Sequence, residues 1–312
     1  MPVSKNTAEQ IYKMVNEQGI TIEEVAEIRG VTRKTIVDYL SKYERYNRLI
    51  EEEDDKLEYE PVENSVWDKL VEDEPILHET HIDNDDVFPI LVIGDTHEPF
   101  SHPNYLQFCK DQYEKYGCKS VVHVGDLADN HYPARHDTET DAMGGTQEYI
   151  QTKKKIKRWV DTFPKLHYCL GNHDRIPERQ AHKMGLSSGF LKSFSEQWDL
   201  PSTWDVATEH IIGGVLFTHG INCGGKDGAY NLAVQERMSA VIGHQHSYLG
   251  VKYNANPRSI VFGMNVGCGI DVNAYAMRYG KYFKLKPTMG CGVVSSPTEA
   301  YTIPMTQKYF RD

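Results

Sequence analysis

Five short polar clusters, each carrying a glycine, directly follow apolar runs in this chain. They are Gly94-Asp95-Thr96-His97, Gly125-Asp126-Leu127-Ala128-Asp129, Gly171-Asn172-His173-Asp174, His219-Gly220 and Gly243-His244-Gln245-His246. Carboxylates, imidazoles and amide oxygens hold metal ions or move protons, and Arg175, directly after Asp174, adds a group that can grip phosphate. Glycine beside a ligand lets the backbone turn sharply, so that side chains converge. One Gly-Asp pair is merely a turn signal. Five clusters in succession, each closing an apolar run, point to one composite site.

The elements that must position these clusters are legible in the runs before them. FPILVIGD, SVVHVGD, LHYCLGNHD, IIGGVLFTHG and SAVIGHQHS read as five buried strands. After the first, Pro103 opens a helix, NYLQFCKDQYEKYG, that closes at Gly117. Residues 146–163 read as a second helix, basic through KKKIKR. Strands alternating with helices predict an α/β fold, and loops at strand ends are where such folds build sites. Residues 175–208 are too long for a plain turn and predict a helical cap, mildly basic through Arg175, Arg179, His182 and Lys183. The strand-like C-terminal runs CGVV and AYTIP are expected to complete the second sheet.

The ordered set D-x-H, G-D-x-x-D, G-N-H-D, a lone H and G-H-x-H spans about residues 88–270. It resembles that of the calcineurin-like metallophosphoesterases. The resemblance implies a two-sheet β-sandwich flanked by helices, with two divalent metal ions at the sheet edge. It implies that Asp95, His97 and His246 hold one ion, that Asn172, His219 and His244 hold the other, and that Asp126 bridges them. Mixed imidazole, carboxylate and amide donors suit Mn, with Fe, Zn or Ni as alternatives, better than Ca or Mg. Two such cations can lower the pKa of a shared water toward about 7, yielding a metal-bound hydroxide that attacks phosphorus. They also neutralise the phosphoryl oxygens. His173 is expected off the metals, protonating the leaving group, with Asp174 orienting its ring and raising its pKa. Arg175 and His131 are candidate substrate contacts. Two positions depart from family patterns. Glu98 stands where many members have glycine, and Asn130-His131 follows G-D-x-x-D where the larger Ser/Thr protein phosphatases carry an arginine.

Residues 7–45 predict three helices. Thr7 with Gln10 and Thr21 with Glu24 are capping-box patterns, Gly19 and Gly30 are helix ends, and Ile11, Val15, Ile22, Val25, Ala26, Ile36, Leu40 and Tyr43 recur at helical spacing. Small Ala26, turn Gly30 and core Ile36 resemble a helix-turn-helix DNA-binding unit of the resolvase or transposase kind. Arg33, Lys34 and Lys42 then lie on or near the outer face of its third helix. The same pattern fits a small bundle for dimerisation or protein contact. The expected organisation is a helix-turn-helix-like domain at 1–50, an acidic linker at 51–86 and a metallophosphoesterase domain at 87–312.

The net charge of −11 is local, because residues 51–90 hold sixteen acidic and two basic side chains. The flanks are near neutral, so the total does not exclude a nucleic-acid partner. No run of about 18 apolar residues and no apolar N-terminal core occur, which predicts a cytoplasmic protein without a membrane partner. Six cysteines without a CxxC pair read as reduced core thiols. The leading expectation is a metal-dependent phosphodiesterase, specifically a nuclease acting on DNA. A phosphomonoesterase for proteins, nucleotides or RNA ends is the alternative, and a DNA-bound regulator without turnover is the third. Helix-turn-helix units commonly act in pairs, so a homo-oligomer is also expected as a partner state.

Overall fold

The computed structural model describes residues 11–17, 20–37, 40, 79–82, 85–133, 143–274 and 284–306. The chain divides into two compact units, Met1–Glu74 and Pro75–Asp312. In the first, Thr21 forms the predicted capping box with Glu24 and starts α1 (Ile22–Arg29). Gly30, at φ 64°, ends it in the left-handed conformation that glycine adopts without steric cost. Residues 33–37 are helical, and the first predicted helix contains a π-turn at Lys13–Glu17. Ile11, Val25, Ala26 and Ile36 are buried together. Thr7, Gly19, Lys42 and Tyr43 lie outside the described residues.

In the second unit the strands are β1 (Glu79–Ile82), β2 (Ile90–Ile93), β3 (Ser120–His123), β4 (Leu166–Cys169), β5 (Trp204–Ala207), β6 (Glu209–Ile212), β7 (Val215–Thr218), β8 (Ser239–Ile242), β9 (Leu249–Asn256), β10 (Ser259–Val266), β11 (Gly290–Ser296) and β12 (Glu299–Pro304). One sheet runs β12-β11-β2-β3-β4-β5 and the other β1-β6-β7-β8-β10-β9. β2 through β5 are parallel, as are β7 and β8. Side chains alternate across a strand, and β2 uses both faces. Ile90 and Val92 join Val122, Phe217, Val241, Phe262 and Met264 in one core. Leu91 and Ile93 pack outward on Tyr105, Phe108 and Trp159. Those outer residues come from α2 (Tyr105–Lys115) and α3 (Gly145–Thr162). The cap region carries α4 (Ile176–Lys183) and α5 (Phe194–Trp198). On the other sheet, Ala233 of α6 (Gly228–Glu236) packs against Leu216 and Ala240. Two sheets flanked by helices is the expected architecture.

Three expectations are corrected. The run IIGGVLF is a hairpin, not one strand: Gly213 and Gly214 have φ 56° and 74°, and they turn β6 back antiparallel onto β7. The acidic segment is not all linker, because its residues 79–82 form β1, an edge strand parallel to β6. The C-terminal strands do not join the second sheet; β11 pairs with β2 itself. All six cysteines are free thiols. No helix among the described residues is long and apolar enough to cross a membrane.

Candidate metal centre

Because β2, β3 and β4 are parallel, the loops that follow them leave one edge of their sheet and deliver Asp95, Asp126 and Asn172 together. β7 and β8, parallel in the facing sheet, deliver His219, His244 and His246. Asp95, His97, Asp126 and His246 offer ligand atoms within 4.8 Å of one another, and so do Asp126, His219 and His244. The amide oxygen of Asn172 lies 2.9 Å from His219 Nε2. All seven predicted ligands therefore converge, and Asp126 is common to both groups.

This convergence strains the backbone. His97, Asp126 and His244 have φ of 50°, 53° and 59°, left-handed values that cost a non-glycine residue roughly 1–3 kcal/mol. Two of the site glycines serve a purpose other than a sharp turn. A Cβ on Gly171 would sit 2.1 Å from Asp126 Oδ1, and one on Gly243 would sit 2.3 Å from Asp95 Oδ1. Both positions are glycine to admit a carboxylate.

Hydrogen bonds fix how the imidazoles face the site. His219 Nδ1 donates to the Val124 carbonyl at 2.7 Å, which turns Nε2 toward Asp126 Oδ2 at 3.2 Å and Asn172 Oδ1 at 2.9 Å. Both neighbours are acceptors. Among protein groups alone only a doubly protonated ring satisfies this arrangement. Burial pulls the His219 pKa down, but the Asp126 and Asp95 carboxylates outweigh it and push it up to about 10. Burial pushes Asp126 up, but the His219, His173 and His97 imidazoles outweigh it and hold the carboxyl well below the carboxylate range. Asp126 Oδ2 is buried without an aligned hydrogen-bond donor. His97 Nδ1 donates to Asp129 Oδ1 at 2.6 Å, leaving Nε2 directed at His246 Nε2, 3.2 Å away. His246 Nε2 is in turn 2.8 Å from Asp95 Oδ2. A buried carboxylate oxygen without an aligned donor, amid inward-facing imidazole nitrogens, fits divalent cations.

Asp174 takes a different position from the one expected. His173 Nδ1 donates to the Asp129 backbone carbonyl at 2.6 Å, its ring lies 4.4 Å from that of His97, and its side chain is 24% exposed. Asp174 does not orient it. The Asp174 carboxylate turns inward and accepts from the backbone N–H groups of Gly171, Asp126 and Leu127 and from the Tyr168 hydroxyl. Burial and the nearby Asp126 charge push it up to about 6. Asp129 is the orienting residue, a role that sequence reasoning missed although the second aspartate of G-D-x-x-D signalled it. His131 is buried, with its Nδ1 3.8 Å from Asp129 Oδ2. Arg175 stands at the N-terminus of α4, half-buried. Its neighbour Arg179 donates to the Asn172 carbonyl at 2.7 Å. Glu98 points away from the centre and accepts from Trp159 Nε1 and Ser101 Oγ, with Lys155 Nζ at 3.5 Å. In the first unit Arg33 is ion-paired with Glu23 at 2.7 Å and Lys34 is exposed.

Comparison with known proteins adds independent findings. The Gene 54 proteins of Mycobacterium phages L5 and D29 are 27% and 26% identical over 217 and 226 residues, each alignment covering 62% of this chain and 82% of the relative. Among solved structures, a putative diadenosine tetraphosphatase matches with a TM-score of 0.37 and 14% identity over 73% of this chain and 98% of its own. Yfce, a phosphoesterase from E. coli, matches with a TM-score of 0.36 and 15% identity over 70% of this chain and 100% of its own. The family model for calcineurin-like phosphoesterases matches residues 88–261, from just before β2, through the strands that carry all five clusters, and into β10. With more than half its length so matched, and with the family's donor groups gathered at one edge of two facing sheets, the chain belongs to the calcineurin-like phosphoesterases, hydrolases of phosphate esters that use divalent metal ions.

Proposed function

We propose that this phosphoesterase is a phosphodiesterase, specifically a nuclease acting on DNA. The observation that carries the reading is the pair of donor groups joined through Asp126, with the partly exposed His173 imidazole beside them. Two divalent cations, with Mn as the first choice, would be held by Asp95, His97 and His246 on one side and Asn172, His219 and His244 on the other, with Asp126 shared. Bound there, they supply charge neutralisation of a phosphate and an acidified water.

The remaining chemistry belongs to the chain's own side chains. His173 has Nδ1 committed to the Asp129 carbonyl, so Nε2 is the atom that carries a transferable proton. A protonated imidazole serves a diester, whose alkoxide leaving group needs a proton as the P–O bond breaks. Arg175 and Arg179, next to the Asn172 loop, suit an extended anionic substrate. Lys34, Arg33 and Lys42 are the proposed DNA contacts of the first unit, Arg33 exchanging its Glu23 partner for phosphate.

The test is cleavage of end-labelled single- and double-stranded DNA by the Mn-loaded full-length protein, with Asp126→Ala alongside. Cleavage that vanishes in the variant is the expected result. Hydrolysis of a simple aryl phosphate without DNA cleavage would replace the nuclease with a phosphomonoesterase.

A further inference from the structure

A second set of metal-binding side chains lies away from the catalytic edge, where the two sheets meet at a corner. His167 of β4 and Asp205 of β5 are direct cross-strand partners in one sheet. Thr80 of β1 and His210 of β6 are partners in the other. The chain crosses between sheets at Thr208, the residue separating β5 from β6. That corner carries the pairs toward each other: His167 Nδ1 is 3.3 Å and His210 Nδ1 is 3.8 Å from the same oxygen, Asp205 Oδ2. The two imidazole rings meet edge to face at 5.3 Å.

We infer that His167, Asp205 and His210 form a separate site for a zinc-class divalent cation that clips one sheet to the other. Four features of the geometry support it. First, zinc–nitrogen and zinc–oxygen bonds of about 2.0–2.2 Å place neighbouring tetrahedral ligands about 3.3 Å apart. The His167–Asp205 distance matches that edge better than it matches an ordinary N–H···O bond of about 2.9 Å. Second, His210 Nε2 donates to the Tyr168 carbonyl at 3.1 Å, which leaves Nδ1 unprotonated, with Asp205 Oδ2 3.8 Å away. The Thr80 hydroxyl donates to that nitrogen at 2.5 Å and would turn aside on cation binding. Third, two imidazoles with one carboxylate are donors for zinc or its transition-metal neighbours rather than for calcium or magnesium. Fourth, His210 is fully buried while the Asp205 side chain is 43% exposed, so the site has both a fixed floor and an opening to solvent. The three ligands leave a fourth position for water.

The site shares no residue with the catalytic centre, so its test is separable from the proposed activity. The full-length protein, stripped by chelator and dialysed against micromolar zinc, is compared with Asp205→Ala by elemental mass spectrometry. The expected result is one zinc fewer per chain in Asp205→Ala, with aryl phosphate hydrolysis unchanged and a smaller zinc-dependent rise in melting temperature. Because the readout is a difference between two chains, it holds whatever the catalytic centre retains. Equal zinc content in the two proteins overturns the site. His167→Gln, which preserves the side chain's bulk, decides the matter in the same way should Asp205→Ala lose its native circular dichroism.

Discussion

Asp129 acts through two different atoms: its carboxylate holds His97 and its backbone carbonyl holds His173. Truncating the side chain removes only the first of these bonds. Asp129→Ala should weaken metal binding by about 10–100-fold, the usual effect of losing the partner that orients a ligating histidine, as read by equilibrium dialysis. The sequence pointed to the predicted ligands because each cluster carries a glycine at the end of an apolar run. It did not reveal which aspartate orients His173. Asp174 is its neighbour in sequence, yet the turn after β4 points that carboxylate into a ring of backbone N–H groups. His123 gives a pH-dependent prediction. Burial pushes its imidazole down from 6.5 to about 3, against the pull of Asp95 and Asp126. Between these values the unfolded chain binds a proton there and the folded chain does not. Stability therefore falls as pH drops from 6.5 toward 3, and this residue adds up to about 1.4 kcal/mol per pH unit to the slope. In denaturant titrations across that window, His123→Gln should show a shallower pH dependence than the parent.

At the scale of elements, α3 is tied to the D-x-H loop through one buried carboxylate. Glu98 follows the predicted ligand His97 and accepts from Trp159 Nε1 at 2.8 Å, and its backbone carbonyl accepts from Thr152 Oγ1. Trp159 is 1% exposed, and its N–H loses its protein acceptor once the carboxylate is gone. Glu98→Ala should cost roughly 1–3 kcal/mol for the unsatisfied donor, on top of the packing removed with the side chain. Glu98→Gln, which keeps an acceptor, should cost less; urea unfolding separates the two. Sequence patterns marked the parallel strands because those are buried on both faces and read as continuous apolar runs. They failed where another signal dominated. The charges of residues 79–86 hid β1, whose edge position needs no apolar run, and two glycines inside IIGGVLF concealed a hairpin within an otherwise unbroken apolar stretch. Pairing order was beyond local patterns altogether, since β11 joins β2 across about 200 residues of chain.

For the whole molecule, the division into Met1–Glu74 and Pro75–Asp312 separates two proposed tasks. Every predicted metal ligand, with His173 and Asp129, lies in the second unit, as do both sheets and the cores on each side of them. The first unit has its own buried cluster around Val25 and Ile36. If it delivers DNA to the centre, residues 75–312 alone should hydrolyse a small aryl phosphate with the kcat/KM of the full chain. Their cleavage of long DNA at low concentration should drop. Every DNA phosphate that the first unit neutralises steepens the log–log dependence of affinity on salt by about 0.9, so removing the unit should flatten that slope in proportion. Fluorescence anisotropy of labelled DNA at several salt concentrations reads the slope directly. An unchanged slope, with small-substrate activity intact, would assign Arg33 and Lys34 to the unit's own surface and leave α1 and its neighbours as a protein-contact bundle.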